Sequence, residues 1–145
     1  MKQPEYKWFP EIGMAVCELK YDNIKFEGVA MCHPDDDDMS SRLTGQTIAE
    51  MRAYLKYLQH IKNNELRPQL KVLNQLYYAM NRSKHYNRKS YESKMLFRQI
   101  KNTTEDLVVI KEEIEIVKKG LRDYINLKDS YYKEIRAHRE KAKKD

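Results

Sequence analysis

The sequence predicts an α+β protein in which a small N-terminal antiparallel β-hairpin or sheet is followed by a long antiparallel helical hairpin. Short alternating apolar runs lie on both sides of Asp22-Asn23, helical spacing of apolar residues begins at residue 46, and heptads fill the last third. We therefore expect a β-hairpin module with an acidic loop over 1–45 and the helical hairpin over 46–145, with a basic connector at 82–94.

The β-hairpin consists of two predicted strands, Ala15–Tyr21 and Ile24–Cys32, because the Asp and Asn between them tolerate the positive φ of a two-residue turn. This turn sets the register, which places Leu19 opposite Phe26 and produces one wholly apolar face. The other face pairs like charges across the strands, and we expect it to be exposed to solvent or to bind a partner.

The segment from His33 to Asp38 contains four consecutive aspartates. Clustered carboxylates favour a hard divalent cation, and His33 offers a nitrogen ligand. Four carboxylates in a row do not converge easily on one ion, and the alternating spacing of a calcium loop is absent. We therefore interpret the segment as an acidic, solvated loop and expect no metal site.

The first long helix is predicted to start after Thr44, which acts as its cap, and to run to about Asn81. Pro68 lacks a backbone N–H and disfavours helical geometry at Arg67. The sequence leaves open whether Pro68 kinks its helix or ends it.

The last third of the chain carries a coiled-coil seam over about five heptads. One heptad position is occupied by Ile100, Leu107, Ile114, Leu121 and Ile135, and the other by Ile110, Val117, Tyr124 and Tyr131. We expect this helix to pack antiparallel on the preceding one, because a short connection favours neighbours. Since the first helix is shorter, the C-terminal turns would extend beyond it. Unless these turns dock on the β-hairpin, we expect a homo-oligomer to cover them.

Positive charge is concentrated in the middle of the chain. The 145 residues include 28 basic and 22 acidic side chains, a net charge of +6. Residues 46–104 alone carry 12 basic and 3 acidic side chains, whereas residues 1–45 are net negative. A basic segment that also carries aromatic rings is typical of sites for nucleotides or nucleic acid.

The connector between the two long helices is the candidate binding site. Arginine supplies a planar fork for phosphate oxygens, tyrosine a face for base stacking, and asparagine an amide that can read a base edge. The candidate ligand-binding residues are Arg82, Lys84, Tyr86, Asn87, Arg88, Lys89, Tyr91 and Arg98. The alternative is a solvated helix-hairpin turn that is basic by chance.

The sequence contains no catalytic or cofactor-binding motif. It has only four glycines, no glycine-rich phosphate loop and no nucleophile elbow. Cys17 and Cys32 are spaced unlike a zinc site and do not face each other in the predicted register, so we expect neither a metal nor a disulfide. We expect a non-enzymatic protein without a cofactor.

The N-terminus lacks the apolar core of a signal peptide, and no apolar run reaches membrane-spanning length. We therefore expect no membrane partner and a location in the cytoplasm of the host cell.

Two motifs resemble an N-terminal strand-strand-helix module of small phage and prophage proteins. The first is the run Lys25-Phe-Glu-Gly-Val-Ala-Met-Cys-His-Pro-Asp-Asp36, which has the strand pattern G-x-A-x-C-x-P-x-D. The second is Thr44-Gly-Gln-Thr-Ile-Ala-Glu-Met-Arg-Ala53, which has the pattern G-x-x-I-A-x-x-R-A at the opening of a helix. The resemblance implies a small sheet, an acidic loop and a helix over about a third of the chain.

In its general layout, a small sheet with a long helical hairpin, the chain is similar to the anti-Thoeris sponge proteins of phages. The resemblance implies an oligomer that sequesters cyclic nucleotide signals with arginines, an aromatic residue and an asparagine. Residues of these types occur between Arg82 and Arg98.

The resemblance and the basic connector together favour a phage-type anti-defence protein that binds and sequesters a phosphorylated nucleotide signal, such as a cyclic nucleotide. A second hypothesis is an accessory protein that binds nucleic acid, or a host defence complex such as a CRISPR effector, through the same basic face. A third hypothesis is a structural coiled-coil assembly factor without a small ligand.

Overall fold

The structure confirms the α+β class. The computed structural model describes residues 3–32, 39–82 and 91–144. Three strands come first, and helices make up most of the remaining described residues. The chain divides into two compact units, which we call the sheet unit (Met1–Tyr57 with Glu115–Asp145) and the helical unit (Leu58–Ile114).

The strands form one antiparallel sheet in the order β1-β2-β3. Their bounds are Glu5–Phe9 for β1, Met14–Tyr21 for β2 and Ile24–Met31 for β3. The pairing of β2 with β3 confirms the predicted register, including Leu19 opposite Phe26. Asp22 and Asn23 have φ values of 50° and 65°, as a two-residue turn with two positive φ angles requires.

Strand β1 is not predicted from the sequence. It is short, and the turn that separates it from β2 is longer than the two-residue Asp-Asn turn and contains Gly13 with a φ of 64°. A longer turn does not specify the strand register from sequence. The alternation of Tyr6 and Trp8 with charged residues is the signal that marks it as a strand. Tyr6 also ties β1 to the helix that follows the sheet, since its hydroxyl donates to the Glu50 carboxylate at 2.7 Å. Burial and this contact raise the pKa of Tyr6 to about 12.

Helix α1 (Met39–His60) packs on the apolar face of the sheet. A Cβ atom at Gly28 of β3 would lie 2.5 Å from the backbone nitrogen of Ala53 and 2.9 Å from the carbonyl carbon of Ala49. Only glycine allows the helix to come this close to the strand. The buried core at this contact consists of Ala15, Cys17, Leu19, Phe26, Ala30, Ala49 and Ala53. The two cysteines are free thiols, as predicted.

The second face of the sheet is more buried at its centre than the sequence predicts. The like-charge pair of Glu18 with Glu27 is present in the observed register. However, Glu18 is buried, and β1 makes its strand the central one of the sheet. Lys7 Nζ lies 3.2 Å from a Glu18 carboxylate oxygen. This hydrogen bond is the main cause that lowers the pKa of the Glu18 carboxyl.

The chain stays helical through Pro68. Helix α1 is followed by a π-helical segment, Ile61–Leu66, and then by helix α2, Arg67–Arg82. The backbone N–H of Arg67 donates to the carbonyl of Lys62, five residues earlier. This wider turn directly precedes Pro68, whose ring would otherwise press on the carbonyl four residues back. The helical segment therefore continues through Pro68 without a break.

Helix α3 (Tyr91–Lys144) is a single helix of 54 residues. Leu107 and Ile114 of the predicted seam are buried, and so is Thr103, which the heptad pattern treats as an interruption. Near the C-terminus Tyr132 is buried, whereas Tyr131 is 49% exposed, contrary to its predicted heptad position. A straight helix with 3.6 residues per turn drifts from a strict heptad over this length, which accounts for the shift by one residue.

The predicted start of the first long helix is wrong. Helix α1 begins at Met39, so Thr44 lies inside it and is not its cap. Thr44 is buried, and its Oγ1 lies 3.4 Å from the hydroxyl of Tyr132 on α3 within the sheet unit. A threonine beside a buried tyrosine hydroxyl satisfies a polar group in the interior, which explains its place there.

Gly28→Ala is expected to lower the free energy of unfolding by about 2–3 kcal/mol or more, because the added methyl group meets backbone atoms of α1 that cannot rotate away. Chemical denaturation followed by circular dichroism measures this loss. Gly120→Ala in α3 is the matched control, since its added carbon comes no closer than 3.9 Å to Met51 Cε. There the helix propensity of alanine should raise stability by about 0.5–1 kcal/mol. Equal effects of the two substitutions would contradict the close approach at Gly28.

Glu18 is expected to make stability depend on pH in the acid range. A carboxyl whose pKa is lowered in the folded protein stabilises the fold above its unfolded-state value, about 4.3 for Glu, and this contribution is lost as the pH falls through the lowered pKa. In Lys7→Gln the Glu18 pKa should rise toward the ordinary value, as measured by NMR titration of its carboxyl. Lys20→Gln controls for the general loss of one positive charge. An unchanged Glu18 pKa in Lys7→Gln would refute the assignment.

Candidate functional site

The structure describes three of the eight predicted ligand-binding residues. Arg82 is the last residue of α2, and Tyr91 and Arg98 lie in the first turns of α3. The other five lie outside the described residues and stay a prediction; they are Lys84, Tyr86, Asn87, Arg88 and Lys89.

Arg82 stacks on an aromatic ring of its own helix. Its guanidinium carbon lies 4.9 Å from the ring centroid of Tyr78, one turn earlier in α2. At this distance a guanidinium makes a cation–π contact, which limits the directions its N–H groups can take. Tyr91 is 73% exposed at the start of α3. Neither Arg82 nor Tyr91 lines the groove that contains Arg98.

A groove of about 630 Å³ in the helical unit is the candidate functional site. Its volume falls within the range of about 300–1,000 Å³ that is usual for small-molecule sites. One lining residue comes from α2 and the other seven from one face of α3, so we call it the α3 groove. The lining residues are Tyr77, Ser93, Lys94, Phe97, Arg98, Lys101, Asn102 and Glu105.

Helical spacing explains why three cations meet in this groove. Lys94, Arg98 and Lys101 are four and three residues apart, and residues at these intervals share one face of an α-helix. Glu105 is the one carboxylate among the lining residues. Among the described residues, the charged side chains of the groove are therefore three cations and one anion, a surplus that favours an anionic ligand.

Aromatic rings form a wall next to the cations. The ring centroids of Tyr77 on α2 and Phe97 on α3 lie 6.4 Å apart, with the ring planes at 48°. Phe97 is 59% exposed, although phenylalanine is among the residues most often buried in folded proteins. An exposed ring beside an arginine provides a surface on which a planar ligand can stack.

The polar residues of the groove complete its chemistry. Arg98 presents a guanidinium fork that matches two phosphate oxygens, whereas Lys94 and Lys101 act as point charges. The Asn102 amide can donate and accept at the edge of a base, and Ser93 adds a hydroxyl. Together these groups can bind a phosphorylated, ring-containing molecule.

Arg98 belongs to the predicted site and Lys94 to the predicted connector, whereas Tyr77, Phe97 and Lys101 were not predicted as site residues. The spacing between Lys94 and Lys101 is visible in the sequence and places both on one face of a helix. This spacing is the signal that could have been used to extend the predicted site along α3. The proximity of Tyr77 to Phe97 depends on how α2 and α3 pack, which no local pattern specifies.

Metal and membrane sites receive no support from the described residues. Within 3–32, 39–82 and 91–144, no group of three or more His, Cys, Asp or Glu side chains is placed to hold a metal ion. The segment from His33 to Asp38 lies outside these ranges. In the same part of the chain, no helix combines the length and the apolar character that crossing a bilayer requires.

No protein-family model, curated protein or solved structure matches this chain significantly. The functional proposal therefore rests on the residues and the geometry of the α3 groove.

Phe97→Ala is expected to change the free energy of unfolding by less than about 1 kcal/mol, because most of the ring is already in contact with water. The adjacent Leu96 is 8% exposed, so Leu96→Ala should cost about 2–5 kcal/mol. Chemical denaturation of the two variants compares them directly. If Phe97→Ala costs as much as Leu96→Ala, the ring supports helix packing and is not a free surface for a ligand.

Proposed function

We propose that this protein is a phage-type, non-enzymatic anti-defence protein that binds and sequesters a phosphorylated nucleotide signal in the cytoplasm of the host cell. The observation that supports this proposal best is the α3 groove, where Lys94, Arg98 and Lys101 lie beside the rings of Tyr77 and Phe97. Cations beside exposed rings are a combination that binds the phosphate and the base of a nucleotide together.

Different side chains of the groove bind the phosphate and the base. Phosphate oxygens lie against Arg98 and the two lysines, since hydrogen bonds to charged groups contribute about 1.5–3 kcal/mol each. The base stacks on Phe97, and one stacked base contributes about 1–3 kcal/mol. Glu105 at the end of the groove repels further negative charge and limits where the phosphate can lie.

Sequestration is a matter of mass action. A protein that binds a signal without converting it must exceed that signal in copy number and bind it tightly. The proposal therefore includes the antiparallel helical hairpin and the homo-oligomer predicted from the sequence. A second protomer over the exposed side of Phe97 would exclude water from the ligand and strengthen its contacts with the cations.

A second candidate function is the binding of single-stranded nucleic acid. It is favoured by two further exposed rings in the helical unit, Tyr78 at 60% and Tyr91 at 73%. Arg82 lies over the first of these rings. Exposed rings with nearby cations bind successive bases with little sequence preference, and such binding weakens steeply with salt.

Calorimetric titration with cyclic ADP-ribose isomers and with cyclic di- and trinucleotides is expected to give saturable heats with at least one of these ligands. Arg98→Gln should raise the dissociation constant about tenfold or more, because it removes a charge-assisted hydrogen bond. Arg122→Gln, an exposed cation of α3 outside the groove, is the matched control and should bind normally.

The double variant Arg88→Ala with Lys89→Ala tests the predicted connector separately from the groove. Loss of binding in this variant alone, with Arg98→Gln unaffected, would move the site to the connector. Absence of saturable heat with every nucleotide would contradict the proposal. Binding of a fluorescent single strand that falls steeply with salt would then support the second candidate function.

A further inference from the structure

Helix α2 carries a continuous row of exposed side chains that shares no residue with the lining of the α3 groove. The members of this row recur at intervals of three or four residues, so they lie on one side of the helix. A surface depression lined only by α2 residues runs along the same side. We call these side chains the α2 face; they are Arg67, Lys71, Asn74, Gln75, Tyr78 and Arg82.

The α2 face is open to water. Among the residues of α2, all of which the structure describes, only Leu73 is buried. All six side chains of the α2 face are exposed, and Tyr78 is exposed by 60%. A helix that buries so little of itself leaves a large part of its surface available to a partner.

The charges of α2 are all of one sign. Its 16 residues include three cations and no carboxylate. The nearest acidic residue along the chain is Glu65, which precedes α2 in the π-helical segment. Residues 83–90, which follow α2 directly, contain three basic side chains and no acidic one, so their charge has the same sign as that of the helix. A surface of this kind is complementary to a polyanion.

The order of the side chains along α2 matches the groove of a nucleic-acid duplex. Arg67 and Lys71 lie at the start of the helix and Arg82 at its end, and the amides of Asn74 and Gln75 lie between them. At about 1.5 Å per residue, these cations span about 22 Å of helix axis. The major groove of B-form DNA is about 12 Å wide, admits an α-helix and has a phosphate backbone on each side. Cations at both ends of α2 can therefore reach the two backbones while the amides face the base edges.

The individual groups suit these contacts. A side-chain amide can donate to and accept from the edge of an adenine at the same time. Arg67 Nη1 donates to Oδ1 of Asn63 at 3.1 Å, which orients the guanidinium and leaves further N–H groups for a phosphate. The guanidinium of Arg82 lies over the ring of Tyr78. Two of the three cations are thus oriented before binding, which lowers the entropy cost of ordering them.

We propose that the α2 face binds in the major groove of double-stranded DNA, with its cations on the phosphates and its amides at the base edges. An RNA duplex fits this face poorly, because its major groove is deep and narrow. A single strand has no groove to admit the helix. The site is independent of the nucleotide proposed for the α3 groove, and it differs from the second candidate function, in which bases stack on exposed rings.

Fluorescence anisotropy of the full chain with a short labelled DNA duplex at low salt tests this proposal. The DNA duplex is expected to bind more tightly than either of its single strands and more tightly than an RNA duplex of the same sequence, which carries the same phosphate charge. Methyl green, which occupies the major groove, should displace the protein, whereas netropsin, which occupies the minor groove, should not. These measurements use the unaltered chain and so do not depend on the folding of a variant.

Arg67→Gln with Lys71→Gln should lower the affinity for the duplex about tenfold or more. The slope of log affinity against log salt concentration should become shallower by about two, because two phosphate contacts are lost. Lys111→Gln with Lys119→Gln is the matched control, since it removes two exposed cations of α3 outside the α2 face and should bind the duplex almost normally. Circular dichroism checks that both variants keep their helices.

Asn74→Ala with Gln75→Ala tests the contact with the bases. This variant should keep the salt slope of the unaltered chain, because it removes no charge. It should lose the preference among duplex sequences that selection from a pool of random duplexes reveals for the unaltered chain. An unaltered chain without any such preference, or a variant that retains it, would contradict the placement of the amides at the base edges.

Other results would overturn the proposal as a whole. Equal or tighter binding of the single strand would do so and would favour the second candidate function instead. Equal affinity for the RNA and DNA duplexes would show contact with phosphates without use of the groove. Displacement by netropsin and not by methyl green would place the contact in the minor groove. Absence of duplex binding, or equal affinity in the Arg67 and Lys71 double variant and its control, would also refute it.

Discussion

The close contact between Gly28 of β3 and the backbone of α1 is the constraint on which the sheet unit depends. Backbone atoms of Ala49 and Ala53 occupy the space that any side chain at position 28 would need. The small side chains of both alanines let the helix lie flat on the sheet, at a distance that larger residues would prevent. Helix α1 also comes close to the end of β3 at Gly45, where an added Cβ atom would lie 2.9 Å from Cys32 Sγ.

The two sequence motifs Lys25–Asp36 and Thr44–Ala53 meet at this contact. Gly28 belongs to the first motif, and Ala49 and Ala53 belong to the second. Arg52, also of the second motif, donates to the carbonyl of Val29 at 2.6 Å and so occupies a backbone acceptor of an outer strand. Packing and hydrogen bonding thus account for these residue types without a ligand. Among the described residues, the cations that line the α3 groove lie elsewhere, on α3.

Features that depend on a few neighbouring residues were predicted from the sequence. The Asp22-Asn23 turn specified the register of β2 and β3, because two adjacent positive φ values permit only one pairing of the flanking strands. Strand β1 and the burial of Glu18 were not predicted, since both depend on a third strand that joins through a longer turn. In the helical unit, the cations of α3 could be read from their spacing. The partnership of Tyr77 with Phe97 could not, because it joins residues on two different helices.

By itself the sequence determined the α+β class, the hairpin register, the free thiols and the concentration of positive charge in the middle of the chain. These follow from turn geometry, periodicity and composition, which act over a few residues at a time. Only the tertiary structure decided which cations share a groove with exposed rings, and that a π-helical turn accommodates Pro68. It also showed that a second, smaller cavity forms between β3, α1 and α3. Such features depend on the distance between packed elements, and that distance is set by side chains far apart in the chain.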